Sequence, residues 1–173
     1  MQQHNELPPP ALQESYLETY FRYCYTWCPI LDRSASGSVP ATNDSSLVQN
    51  AVALIGSHME PPVMQHVQSV VYYERAKALF YSNQEKDPLL AISALMLFYW
   101  WGSSPPNVVS IDTAWWWTGV AIRQSQQLGL HREPRPGHVF VAGHSAGLRR
   151  RIWWTLFVSS FSFILCYLSC GLC

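Results

Sequence analysis

Residues 110–132, SIDTAWWWTGVAIRQSQQLGLHR, constrain the fold most, because both ends of a single amphipathic helix are marked within them. Ser110 or Asp112 can accept the free N–H groups of a first turn, and Gly129 can take the left-handed conformation that closes a last one. Between them Trp116, Val120 and Gln124 recur at i, i+4 and i+8, flanked by Trp117, Ala121 and Leu128, with Arg123, Gln126 and Gln127 on other faces. The spacing predicts one core-facing stripe, and the rest of the chain is placed relative to this helix.

A chain of 173 residues suffices for one core, or for part of a larger one. Eleven basic and eleven acidic side chains cancel, so nothing marks a surface for nucleic acid, and no direct DNA contact is expected. Only 13% of residues are charged while 14% are aromatic, against about 25% charged in ordinary soluble domains. So many rings call for partners, more chain or a membrane. Cys24, Cys28, Cys166, Cys170 and Cys173 form two distant groups, which suits a reducing compartment better than a disulfide framework. The opening MQQHNELPPP has neither the basic nor the apolar region of a secretory signal.

In chain order, residues 1–10 read as a disordered lead. A first helix follows from Ala11, with Leu12, Tyr16, Tyr20 and Cys24 inward, Leu17, Phe21 and Trp27 widening the stripe, and Pro29 as its stop. Residues 32–44 form a loop. A second helix starts at the Asp44-Ser45-Ser46 cap and carries Leu47, Ala51, Leu54 and Ile55 inward before Gly56. A third, over about 63–81, begins at Pro61-Pro62 and shows Val67, Val70, Val71, Glu74 and Ala78 at mixed three- and four-residue steps. Asp87-Pro88 caps a fourth, ended by Gly102 and Pro105-Pro106, and Leu148 to Phe157 is the sixth, after the helix of 110–132. Apart from a short run at 139–141 there is no strand alternation, so the expectation is an all-α, irregular helical bundle.

The run Leu128-Gly129-Leu130-His131-Arg132, followed by Arg149-Arg150-Arg151-Ile152-Trp153-Trp154-Thr155-Leu156-Phe157, resembles the fungal-specific transcription factor domain, also called the xylanolytic activator regulatory domain. Upstream, YLETYFRYCYTWCPILDR is similar to that family's opening helix, nearest to its cutinase-regulator branch. The likeness spans about Leu12 to Phe157. It implies an all-helical regulatory domain, residues 11–158, of a nuclear regulator of RNA polymerase II transcription, acting through transcription-machinery proteins, intramolecular segments or an apolar small-molecule inducer. The parent would read DNA through a six-cysteine binuclear zinc cluster. The five cysteines here do not form that cluster, so zinc is expected only in a module absent from this sequence, and no cofactor within it. The family usually has acidic residues before the arginines, where this chain has Ser145-Ala146-Gly147-Leu148.

The same residues also have a local reading. Gly129 is a C-cap with Leu130 packing back on the helix, while His131 and Arg132 stand near its free carbonyls. Arg149 to Arg151 would pair with acids on a neighbouring helix as Ile152, Trp153 and Leu156 enter the core; alternatively the triple arginine is a nuclear-import signal, though short for one. Gly143-His144-Ser145-Ala146-Gly147 matches the nucleophile elbow of α/β-hydrolases, but no His, Asp or Glu follows Ser145 to complete a triad. Ser145 reads instead as the N-cap of the sixth helix, and no enzyme is expected. Neither Cys166, Cys170 and Cys173 nor His138 with His144 supplies the four ligands structural zinc takes. The eight tryptophans pack helices together or line a pocket. Finally, Ile152 to Cys173 carries no charge directly after three arginines, which makes a tail-anchored membrane protein the second hypothesis. Under the first, residues 159–173 are a non-family tail produced by an unspliced intron or frameshift, and the domain is truncated.

Overall fold

The computed structural model describes residues 7–32, 45–102, 110, 112–135, 137 and 145–170, with side chains through 161. Among the described residues six α-helices make up the body: α1 Pro10–Thr19, α2 Ser46–Met59, α3 Ser69–Tyr81, α4 Pro88–Leu97, α5 Ala114–Gln127 and α6 Ala146–Cys170. A π-helical turn, Tyr20–Cys24, extends α1, and a 3-10 turn, Phe98–Trp100, extends α4. Among the described residues there is no strand, and the fold is all-α. The run at 139–141 lies outside them.

The centre of the molecule is α2, not the tryptophan-rich helix from which the sequence is most easily read. Its fourteen residues, SLVQNAVALIGSHM, contain no Lys, Arg, Asp or Glu, and every one from Leu47 to Ser57 is buried. A helix apolar all round has no solvent face and must be enclosed. Helices α1, α3 and α4 enclose it, and α4, α5 and α6 continue outward in that order. Some of the polar groups of α2 are absorbed locally: Asn50 Nδ2 donates to Ser46 O at 2.8 Å, and Ser57 Oγ lies 2.7 Å from Ala53 O. Helix α1 comes so close that Tyr16 Cα lies 2.7 Å from where a Cβ on Gly56 would stand.

The caps follow sequence chemistry. Ser45 Oγ accepts from Val48 N at the start of α2 and donates to Glu85. Asp87 Oδ1 accepts from Leu89 N, with Pro88 in the first turn of α4, where its missing N–H costs nothing. At α5 the cap is Thr113, whose Oγ1 accepts from Trp116 N, rather than Ser110 or Asp112.

Three expectations are corrected. Helix α3 begins at Ser69, and residues 61–68 are irregular, with Val63 fully exposed. Its inward face is Tyr72, Tyr73, Ala76 and Leu79, so Val67 and Val70 lie outward and Glu74 is exposed. Helix α5 is turned by about one residue, burying Trp117, Thr118, Ala121 and Ser125 while Trp116 and Leu128 stay exposed. In both helices the buried ring is one whose polar atom finds a partner. Trp117 Nε1 donates to Tyr73 Oη at 2.9 Å, Tyr73 Oη meets Asp112 at 3.0 Å, and Lys77 reaches the same carboxylate at 2.8 Å. Third, Trp27 does not widen the stripe of the first helix but is 74% exposed, because the chain has by then left the α-helix.

That departure is built by Tyr20. The π turn shifts the backbone bond to Tyr25 N→Tyr20 O, and the buried Tyr20 hydroxyl then donates to Cys28 O at 2.6 Å while facing Ile30 N and Leu31 N at 3.2 and 3.3 Å. One hydroxyl thus gathers the backbone around Pro29 into a reversal, and burial raises its pKa well above that of a free tyrosine. Tyr20→Phe should leave Leu31 N without its partner, while Cys28 O and Ile30 N keep only each other, and should lower the unfolding free energy by about 1–3 kcal/mol, read from urea denaturation. Unchanged stability would show that the turn does not depend on the hydroxyl.

Candidate functional site

Helix α6 starts where Ser145 Oγ accepts from Leu148 N at 3.0 Å, so this serine is spent on a cap. Gly143 and His144 of the hydrolase-like motif lie outside the described residues. In the turn that follows, Arg149, Arg150 and Arg151 are consecutive, so their side chains leave the helix about 100° apart and diverge. Each meets a different segment.

Arg149 Nη2 donates to Leu128 O at 3.2 Å and Gly129 O at 3.3 Å. These carbonyls belong to the closing turn of α5, where Gly129 has φ +68, its N–H bonds to Gln126 O, and Leu130 N bonds to Ser125 O. That pairing is a Schellman motif, and Leu130 is buried beside it. The sequence reading put His131 and Arg132 near these carbonyls, but the guanidinium that serves them comes from Arg149. His131 and Arg132 are exposed, joined by Arg132 Nε→His131 Nε2 at 3.0 Å, and the His131 ring lies 5.7 Å from that of Trp153.

Arg150 grips Glu133 with two bonds of 2.9 Å, which holds the Glu133 carboxyl below its usual pKa. Arg151 reaches back across most of the chain: Nε donates to Pro29 O at 2.7 Å, and Nη2 to both oxygens of Asp32 at 2.7 and 2.6 Å. The partners are therefore loop carbonyls and loop acids, not acids on a neighbouring helix. Below the arginines Ile152 and Leu156 are buried, and Trp153 packs against the core. Trp154, Phe157, Val158 and Phe161 form an exposed stripe farther along.

The first turn of α6 thus fastens the Tyr20-built reversal, the closing turn of α5 and the loop after it. Pro29, Asp32 and Glu133, together with Tyr20, are the parts that sequence reasoning left out. The hint was present: Asp32 is the next-to-last residue of CPILDR, and Glu133 directly follows LGLHR.

The three arginines should not matter equally. Arg149→Ala removes a charged donor from one exposed and one part-buried carbonyl and should cost about 1.5–3 kcal/mol. Arg150→Ala loses only an exposed pair and should leave the denaturation midpoint unmoved. The same denaturation series on both variants checks the ranking, and equal losses would overturn it.

Other expectations fall elsewhere. Trp117 is completely buried, its ring ringed by Phe98, Phe80, Tyr81 and Tyr73 at 5.2 to 6.5 Å, so this aromatic cluster is filled rather than open to a ligand. A cleft of 310 Å³ lies next to it, lined by Phe80, Asn83, Glu85, Lys86, Pro88, Ala91, Gln124, Gln127 and Leu128. Cys24 and Cys28 are free thiols in the core, and burial pushes Cys24 up to about 11. Cys166, Cys170, Cys173, His138 and His144 lie outside the described side chains. Among the described residues no three His, Cys, Asp or Glu side chains gather as a metal site. Helix α6 runs on to Cys170, well past the expected end at Phe157, yet among the described residues no helix is long and apolar enough to cross a membrane.

The chain matches no solved structure. It is 30% identical over 156 residues to the acetamidase regulatory protein of Aspergillus fumigatus, covering 87% of this chain and 20% of that protein. It is 27% identical over 166 residues to cutinase transcription factor 1 beta of Fusarium vanettenii, covering 88% and 18%, and 28% identical over 161 residues to cutinase transcription factor 1 alpha of the same organism, covering 87% and 17%. The chain spans about a fifth of the length of the curated relatives it matches. Residues 17–162 match the fungal specific transcription factor domain, from the helix that begins the Tyr20 reversal to the stripe beyond the three arginines, and the chain belongs to that family.

Proposed function

We propose that this chain is the regulatory body of a nuclear regulator of RNA polymerase II transcription, one that works through protein contacts or a bound inducer and neither touches DNA itself nor catalyses a reaction. The observation that carries the reading is the family match over residues 17–162, which takes in all six helices at least in part. Three further features support it. The charges cancel overall, so the chain carries no net attraction for a phosphate backbone. The exposed stripe of Trp154, Phe157, Val158 and Phe161 offers a protein or an intramolecular segment an apolar face. Ser145, the serine of the hydrolase-like motif, caps a helix. Zinc would belong to a separate six-cysteine module of the parent protein, where the DNA reading would take place.

The test is a fusion of residues 1–173 to a heterologous DNA-binding module in a fungal reporter strain. The expected result is a nuclear fusion whose reporter output differs from that of the DNA-binding module alone, and differs less once Arg149→Ala loosens the joint. Identical output from fusion and bare module, at equal protein levels, would sink the reading.

A further inference from the structure

The cleft beside the aromatic cluster has a composition that packing does not call for. It lies where the turn leaving α3 faces the last turn of α5, and Phe80, Pro88, Ala91 and Leu128 give it apolar walls. Asn83, Gln124, Gln127 and Lys86 also line it, Gln124 partly buried and the other three exposed. Among the described residues, none of these four side chains hydrogen-bonds or ion-pairs with another part of the chain. Glu85 also lines the cleft, but its carboxylate is engaged by Ser45 Oγ and by Asp87 N, at the positive ends of α2 and α4. Among the described residues Lys86 therefore has no partner for its charge, and each amide N–H₂ adds two donors. Asn83 holds φ 52, a left-handed backbone conformation uncommon outside glycine, and this places it at the rim of the cleft.

We infer that this cleft is an effector site for a small aliphatic monocarboxylate, whose carboxylate is held by Lys86 with the Asn83, Gln124 and Gln127 amides and whose chain lies against Phe80, Pro88, Ala91 and Leu128. A cleft of 310 Å³ is at the small end of ligand sites, which run about 300–1,000 Å³. The ligand class follows from an unpaired cation among neutral donors beside an apolar wall. The site also adjoins the arginine joint, because Leu128 lines the cleft and its carbonyl accepts from Arg149. Filling the cleft would stiffen the closing turn of α5 and, through Arg149, the start of α6. This inference deepens the regulatory reading by naming the class of inducer, and it rests on that reading only for its biological meaning.

Hexanoate is the probe, titrated into the 173-residue chain and followed by nitrogen–proton correlation spectra, with hexanamide and hexylamine as matched controls. Saturable shifts are expected in the side-chain N–H₂ signals of Asn83, Gln124 and Gln127 and in the backbone N–H of Leu128. Hexanamide should bind at least about tenfold more weakly and hexylamine not at all, as losing a charge-assisted bond implies. Lys86→Gln, at an exposed position, should weaken hexanoate by about tenfold without moving the thermal midpoint of the free chain. No saturable shift, equal binding of all three probes, or full affinity in Lys86→Gln would each overturn the assignment. Because the titration involves no transcription, its failure and that of the reporter fusion are separate results.

Discussion

Trp117→Ala should remove about 3–5 kcal/mol from the stability of the chain, a large fraction of what a domain of this size possesses. The indole is fully buried within four aromatic rings, so its loss opens a cavity that those rings cannot close by small movements. It also strips Tyr73 of the N–H donor on its hydroxyl. Urea denaturation followed by far-ultraviolet circular dichroism measures the loss. Trp117→Phe fills most of the space but cannot donate, so it should lose a smaller share; a phenylalanine variant as damaged as the alanine one would mean that the hydrogen bond, not the packing, dominates. Trp116→Ala, one residue away but 43% exposed, should shift stability by well under 1 kcal/mol.

Gly56→Ala is the second large effect, and its sign runs against helix propensity. In an unobstructed helix alanine gains about 1 kcal/mol over glycine. At Gly56 the added methyl would meet Tyr16 Cδ1 at 2.4 Å, Cβ at 2.6 Å and Cα at 2.7 Å. A rotating side chain relieves the first of these contacts but not the last, which is backbone, so α1 and α2 must separate. Overpacking of this kind costs about 1–3 kcal/mol and sometimes more, and the backbone obstacle puts Gly56→Ala at the upper end, for a net loss of about 2–3 kcal/mol. Gly119→Ala is the internal control: it lies on the exposed side of α5 with nothing within 4 Å of the new Cβ, and should stabilise by up to about 1 kcal/mol. Equal and positive shifts at both glycines would show that α1 does not pack on α2 as closely as described.

These two residues also show where sequence reasoning holds and where it fails. Local chemistry was legible: Ser45, Asp87-Pro88, Gly129 and Ser145 mark helix ends because each needs only its near neighbours to act. The stripe of Leu12, Tyr16, Tyr20 and Cys24 was legible too, since a four-residue repeat survives a change from α to π winding over one turn. What periodicity could not decide was which of three consecutive tryptophans goes inward, because that choice is made by the hydroxyl of Tyr73, 44 residues away. Nor did it reveal the central helix. A segment buried on every side has no periodic contrast to detect, and α2 looked like an ordinary short helix for that reason. At the joint, the motifs carrying Arg149, Arg150 and Arg151 could be seen, but partners at Asp32 and Pro29 depend on how Tyr20 folds the chain back.

The reach of Arg151 has a consequence for synthesis. Its partners Asp32 and Pro29 leave the ribosome 119 and 122 residues earlier. At about 5–20 residues per second they wait some seconds before the guanidinium that completes their ion pair exists. The Tyr20 reversal can form during that interval from its own neighbours, but its outer edge stays unlatched. This contact closes a loop of about 120 residues, so a stalled nascent chain ending before residue 151 would keep both ends of the molecule open to chaperones.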